Sequence, residues 1–267
     1  MLFDYHVHST CSGDGRVSIE DMCARAVEIG IGEIAFTEHV DNNPADLCYG
    51  TFDYSFYIAQ IESARRKFDS LRILTGIEFG EPHMYPEQIQ AIREWDLDVV
   101  LAVVHWVGDV IVAVDEFGDS DVGEMYDLYL DEVLKTAQVG GFDVLGHFDL
   151  VKRFGVKYAG PFRFESFKER IAAILEAMIE RGIALEVNTS GLRQPCRETF
   201  PGLRTLKLYR ELGGGLVTIG SDAHRIEQLG FGLEEGVSLI RAAGFDRIAV
   251  YRSRTPDLVA LDALCRT

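Results

Sequence analysis

Apolar runs of strand length alternate with amphipathic stretches of helical length along the whole chain, and this alternation is the strongest constraint on its fold. Strands are expected at 2–7, 32–37, 72–79, 98–104, 143–147, 183–187 and 216–220, with a weaker one at 247–251. Helices are expected at 18–29, 54–67, 85–94, 123–139, 164–181, 202–212 and 233–243. Strands that alternate with helices form a parallel sheet, open or closed. Ser18 before IEDMCARAVEIG, with Asp21 three residues on, resembles a capping box, and Gly30 stands where a helix-ending glycine belongs. No GxGxxG follows an early strand and no GxxxxGKS is present, so dinucleotide and nucleoside triphosphate binding lack support, and a barrel is favoured over an open doubly wound sheet. The pattern runs without linker, repeat or low-complexity tract, which predicts one domain over residues 1–267.

Charge narrows the partners. With 26 basic and 43 acidic residues the net charge is −17, a field that repels a phosphodiester backbone and argues against nucleic acid. A small phosphorylated substrate remains compatible, because bound metal ions invert the local field. Cys11, Cys23, Cys48, Cys196 and Cys265 make an odd count without a CxxC pair, which fits a reducing cytoplasm rather than a disulfide framework. No signal peptide or spanning helix is read from the sequence, so no membrane partner is expected.

The chemistry lies in the histidines. Of seven, six stand at or just past the C-terminal end of an expected strand, the edge where parallel barrels build their sites. His6 and His8 in DYHVH are two apart and share a strand face; His39 ends AFTEH; His105 and His147 end the fourth and fifth strands. Asp222 and His224 in GSDAH follow the seventh. Glu78, inside the apolar run ILTGIEF, needs a cation nearby, because an unpaired buried carboxylate is strongly unfavourable. Imidazole and carboxylate donors suit Zn, Fe or Mn, and this donor set exceeds one tetrahedral ion, so two or three divalent ions are expected. Arg193, after the Ser190-Gly191 turn, and Arg153, just beyond His147, are candidate forks for phosphate oxygens, with Ser190 beside them.

The motifs DYHVHS with Asp14 downstream, FTEH, GIEF, VVHW, LGHFDL, EVNTSGLR and IGSDAH together resemble the polymerase and histidinol phosphatase (PHP) family, in its histidinol-phosphate phosphatase branch, over nearly the whole chain. The resemblance implies a distorted (β/α)7 TIM-like barrel with a trinuclear metal centre. It implies that His6, His8, Glu78 and Asp222 hold one ion, that Glu78, His105 and His147 hold a second with Glu78 bridging, and that Asp14, His39 and His224 hold the third. Glu38 stands where many members have Asp and is expected to support the ligands. His83 lies outside the shared ligand set and is a candidate substrate contact.

The implied activity is hydrolysis of the phosphomonoester of L-histidinol phosphate, a small phosphorylated amino alcohol, in histidine biosynthesis. Metal ions and the two arginines would hold phosphate, while Asp222 or a nearby histidine such as His224 would protonate the leaving alkoxide. The rival is a nucleotide phosphatase or nuclease with the same metal centre; a third reading is a metal-binding protein without turnover. The sequence leaves the native metal and the oligomeric state open.

Overall fold

The computed structural model describes residues 2–114 and 122–263. Seven strands form one sheet in the order β1 (Leu2–Val7), β2 (Ile31–Val40), β3 (Arg72–Gly80), β4 (Val99–Val103), β5 (Val144–Leu145), β6 (Ala184–Asn188) and β7 (Val217–Gly220). Every pairing within it is parallel. Just past β7, Ala223 bridges Val7 in parallel, and the His8 N–H donates to the Ala223 carbonyl at 2.9 Å. The sheet therefore nearly closes, as a distorted (β/α)7 barrel. Helices α1 (Ile19–Glu28), α2 (Tyr54–Lys67), α3 (Pro86–Ala91), α4 (Val122–Val139), α5 (Lys152–Ala159), α6 (Phe164–Arg181), α7 (Leu203–Glu211) and α8 (Leu233–Ala242) accompany it.

Strand alternation explains why the site lies at one end. Ala35, Leu74, Leu101 and Ala184 belong to an inner apolar cluster near the start of their strands. Counting on by twos along the same face reaches His39, Glu78, His105 and Glu186. The inward face is thus apolar at the base and polar at the rim. The outward residues, among them Phe36, Ile77, Val100, Leu185 and Ile219, pack into the larger core with the helices. Burial on both faces is why these strands read as near-continuous apolar runs.

Four elements differ from the expectations. The strand expected over 143–147 shrinks to Val144–Leu145, because the His147 N–H leaves the ladder and donates to Glu186 Oε2 at 2.7 Å. The weak strand expected at 247–251 is β8 (Arg247–Arg252), but it pairs antiparallel with β9 (Thr255–Ala260) outside the barrel sheet. Ala249, Val250 and Tyr251 join the inner apolar cluster, so this hairpin plugs the base, and the Tyr251 N–H donates to the Tyr5 hydroxyl at 3.0 Å. Helix α5 was not expected. Gly155 lowers its helical signal, and the helix needs that glycine because a Cβ there would lie 2.5 Å from the Tyr126 hydroxyl. The expected helix 85–94 is α3 followed by a 3-10 turn at Ile92–Glu94.

The terminal signals hold where they can be checked. The Ser18 hydroxyl accepts from the Asp21 N–H at 3.0 Å, as a helix N-cap should. Cys11, Cys23, Cys48 and Cys196 are free thiols, while Cys265 lies outside the described residues. No helix among the described residues is long and apolar enough to cross a membrane.

Gly182 ends α6 in the left-handed region with φ +67°, its N–H donating to Ile179 O and that of Ile183 to Met178 O. Gly182→Ala is expected to lower stability by about 1–2 kcal/mol through left-handed strain. Since no part of the site touches Gly182, activity per folded molecule should be unchanged; denaturant unfolding beside a fixed-concentration assay checks both.

Candidate metal centre and substrate cavity

Glu78 projects from β3 into the rim of the barrel and is 1% exposed. Its Oε1 lies 3.0 Å from His6 Nε2 and 3.0 Å from His147 Nε2. Its Oε2 lies 2.9 Å from His39 Nδ1 and 3.7 Å from His8 Nε2. Asp222 Oδ1 stands 3.9 Å from His6 Nε2, 3.7 Å from His8 Nε2 and 3.4 Å from His224 Nδ1. Asp14 reaches His224 Nε2 at 3.0 Å and His39 Nε2 at 3.6 Å.

Among the described residues five groups have donor atoms mutually within 4.8 Å, and three of them gather the expected ligands: His6, His8 and Asp222; Glu78, His105 and His147; and His8, Asp14, His39 and His224. The sequence-predicted ligands His6, His8, Asp14, His39, Glu78, His105, His147, Asp222 and His224 thus converge at one rim. Among the described residues, buried His6 Nε2, His8 Nε2, His39 Nδ1, Glu78 Oε2 and Asp14 Oδ1 have no hydrogen-bond partner. Orphaned nitrogens and carboxylate oxygens facing one another is the arrangement cations require, and the donors fit Zn, Fe or Mn.

Electrostatics agree. Burial alone would raise the Glu78 pKa, but the imidazoles of His6 and His39 outweigh it and hold the carboxyl well below its ordinary range. Burial, together with the neighbouring His224 and His39, pushes His8 well below an ordinary histidine, and burial lowers His147 too. Both shifts favour the neutral ring, the form that binds metal, whereas at His6, His39 and His105 the neighbouring carboxylates outweigh burial and raise the pKa, that of His105 to about 9, so metal binding there displaces protons. Cys48 stands near His39 and Asp41, but burial pushes its thiol to about 12, so it is a poor thiolate donor.

A layer of carboxylates orients the rings, and most of it went unread in the sequence. His6 Nδ1–H donates to Glu186 Oε1 at 2.7 Å, turning Nε2 toward Glu78 and Asp222. Glu186 sits in the apolar run ALEVN, the same signal that singled out Glu78. Asp41 lies 3.2 Å from His39 Nδ1 and 3.7 Å from His105 Nδ1. Glu38 accepts from the Ser9 N–H at 3.0 Å, and from the Ser9 and Ser12 hydroxyls at 2.6 Å each. Buried Asp4 accepts from Ser221 N–H at 2.8 Å and Gly230 N–H at 3.1 Å, fixing the loop after β7. Gly220 makes room for this layer: a Cβ there would fall 2.3 Å from His6 Cβ and 2.7 Å from Glu186 Oε1.

A cavity of about 350 Å³ opens above the donors and is lined by Asp14, His39, Glu78, His105, His147, Asp222 and His224. Arg153 and Arg193 line it, joined by Arg16 and Arg225, which sequence reading did not single out. The two expected arginines are held differently. Arg193 Nη1 donates to Ser221 O at 2.7 Å and Nη2 to Asp222 O at 2.6 Å. This fork clamps Asp222, whose φ of +54° is a strained conformation for a residue with a side chain. Among the described residues Arg153 makes only long bonds, 3.3 Å to Ala113 O and 3.4 Å to Ser190 Oγ and Asp222 Oδ2. Ser190 is fully buried behind it. His83 is not brought to the cavity: its ring nitrogens bind Thr136 Oγ1 at 2.8 Å and Glu132 Oε2 at 2.6 Å on α4.

A parallel barrel with clustered imidazoles and carboxylates at its C-terminal rim, under a cavity edged by guanidinium groups, has the build of a metal-dependent phosphoesterase. Residues 4–190 match the PHP domain, and the chain belongs to that family. It is 28% identical over 270 residues to a histidinol-phosphatase of Lactococcus lactis, covering 93% of each chain. It is 27% identical over 244 residues to a probable histidinol-phosphatase of Clostridium acetobutylicum, covering 90% of this chain and 92% of the relative. Among solved structures it is similar to the Lactococcus lactis histidinol phosphate phosphatase complexed with zinc, L-histidinol and phosphate. The TM-score there is 0.88 at 29% identity, covering 96% of this chain and 98% of that one.

Glu186→Gln tests the supporting layer. The amide loses the charge that fixes the His6 tautomer, so metal affinity is expected to fall roughly 10- to 100-fold while the barrel stays folded. Titration of the chelator-stripped variant with zinc, beside a thermal melt, measures this; wild-type affinity would remove Glu186 from the ligand-orienting layer.

Proposed function

We propose that this chain is a metal-dependent phosphomonoesterase that hydrolyses L-histidinol phosphate to L-histidinol and inorganic phosphate, as a step of histidine biosynthesis in the cytoplasm. Residues 1–267 act as one catalytic unit. The observation that carries the reading is the convergence of three imidazole–carboxylate groups on Glu78, directly beneath a cavity that arginines edge. The full-length likeness to a structure complexed with zinc, L-histidinol and phosphate supports the choice of substrate.

In this reading His6, His8, Glu78 and Asp222 hold one ion, Glu78, His105 and His147 a second, and Asp14, His39 and His224 a third. Two or three divalent ions are expected, with zinc favoured over iron or manganese by the Lactococcus structure. When bound, such ions neutralise phosphate charge and lower the pKa of water toward neutrality. The chain's own groups do the rest. Arg153 has donors to spare and offers them to the phosphate oxygens. Arg193 shares that edge of the cavity while holding the Ser221 and Asp222 carbonyls. Burial would raise the Asp222 pKa, but His6, His224 and Arg153 hold it far below the usual carboxylate range, so Asp222 stays ionised. As water bonds to phosphorus and the ester P–O bond breaks, one proton passes from the water to the departing alkoxide, relayed by Asp222 or His224.

Phosphate release from histidinol phosphate, a nucleoside monophosphate and a short oligonucleotide, with metal analysis of the same preparation, tests the proposal. Clear preference for histidinol phosphate and roughly two or three ions per chain are expected. Preference for either nucleotide substrate would move the chain to the rival reading, and metal without turnover would leave a binding protein.

The arginines should separate. Arg153→Ala is expected to lower kcat/KM roughly 10- to 150-fold with metal content unchanged, the loss of a charge-assisted phosphate contact. Arg193→Ala should lower activity and also metal content, because the Asp222 backbone loses its clamp. Arg193→Lys should restore little, since an ammonium lacks the planar fork that spans both carbonyls. Steady-state kinetics with metal analysis of all three variants decides.

A further inference from the structure

The cavity also holds an anionic point that the phosphate chemistry does not use. Asp46, in the loop after β2, lines it beside Leu47, with Ile111 and Val114 also in its wall. Its carboxylate is oriented from two directions. Oδ2 accepts from the Trp106 indole N–H at 2.8 Å, and Oδ1 accepts from the Cys48 N–H at 2.8 Å. Both donors are neutral, and among the described residues no lysine or arginine is in ion-pair contact with Asp46, so its carboxylate can take a cationic group from the cavity. Its ligand oxygen lies within 4.8 Å of donor atoms of Asp41 and His105, next to the metal-ligating group. Leu47 is 88% exposed, an apolar side chain left in water at the mouth of a polar cavity.

Resting on the proposed activity, we infer that Asp46 recognises the substrate's ammonium group. In a phosphorylated 2-amino alcohol the ammonium sits on the carbon next to the one bearing the ester oxygen. A carboxylate beside His105 therefore meets the ammonium when the phosphate lies over the metal donors. Leu47, Ile111 and Val114 then cover the ring that follows, which removes their apolar surface from water. Asp46 is a specificity residue for the amine-bearing end of the substrate, and the indole of Trp106 is what fixes its carboxylate.

The test is Asp46→Asn, which keeps an oxygen for the Trp106 N–H and removes the charge. Two substrate pairs are compared in wild type and variant: histidinol phosphate with its deamino analogue, and 2-aminoethyl phosphate with ethyl phosphate. In each pair kcat/KM for the amine-bearing member is expected to fall roughly 10- to 150-fold, mostly through KM, with the deamino member and the metal content unchanged. An equal loss on both members, or no loss on either, overturns the assignment. Wild type that ignores histidinol phosphate, yet prefers 2-aminoethyl phosphate by an Asp46-dependent margin, overturns the substrate reading and supports the role of Asp46.

Discussion

A carboxylate taken out of water is the fact around which this protein is arranged. Glu78 is 1% exposed, and both of its oxygens face imidazole nitrogens at 2.9–3.7 Å. Hydrogen bonds do not account for the grouping, since among the described residues Glu78 Oε2, His6 Nε2, His8 Nε2 and His39 Nδ1 have no hydrogen-bond partner. Leaving such groups bare in a low-dielectric interior is strongly unfavourable, so the rim is built for cations. The surroundings follow from that need. Glu186, Asp41 and Glu38 hold rings and loops in the orientation a metal requires, and Gly220 gives up its side chain so that His6 and Glu186 can meet.

What the sequence made legible, and what it concealed, follows from the range of each interaction. Strand and helix positions are local, and most of them were read correctly. Glu78 was legible because a charge inside an apolar strand is anomalous by itself, and Glu186 carried the same anomaly in ALEVN without being noticed. Asp14 was reached through family resemblance alone, because a loop aspartate has no periodicity to betray it. Asp46 and Asp41 were concealed for a related reason: DNNPAD reads as a polar loop, and only the closed barrel carries it over His39 and His105. His83 misled in the opposite sense. It lies just past the third strand like the others, but the chain turns it toward α4, where Thr136 and Glu132 satisfy both nitrogens. The hairpin of β8 and β9 looked like another barrel strand because a base plug needs the same apolar residues as a barrel interior.

The loop after β7 shows how backbone strain serves the site. Asp222 adopts φ +54°, which places its carboxylate among His6, His8 and His224 while its N–H donates to His6 O at 2.8 Å. Such a conformation persists only where the surroundings over-determine it. Here Arg193 supplies two bonds to the carbonyls of Ser221 and Asp222, and Asp4 holds the Ser221 N–H from the other side. Arg193 was expected to be a phosphate fork. Its geometry makes it a fork for the backbone, tying the arginine edge of the cavity to the position of the Asp222 carboxylate.

A net charge of −17 disfavours a phosphate dianion, and the proposed activity requires the cavity to overcome that field. Long-range repulsion is screened over roughly 8–10 Å at physiological salt, so the groups within the cavity decide the local field. In the proposed reading, the guanidinium groups of Arg16, Arg153, Arg193 and Arg225 that line the cavity, with ions held by the rim donors, would answer the phosphate at one pole, and Asp46 would answer the ammonium at the other. Inorganic phosphate satisfies only the first of these poles, whereas a phosphorylated amino alcohol satisfies both. Once the ester is cleaved the two charges part, and neither product keeps the paired interaction that the substrate had.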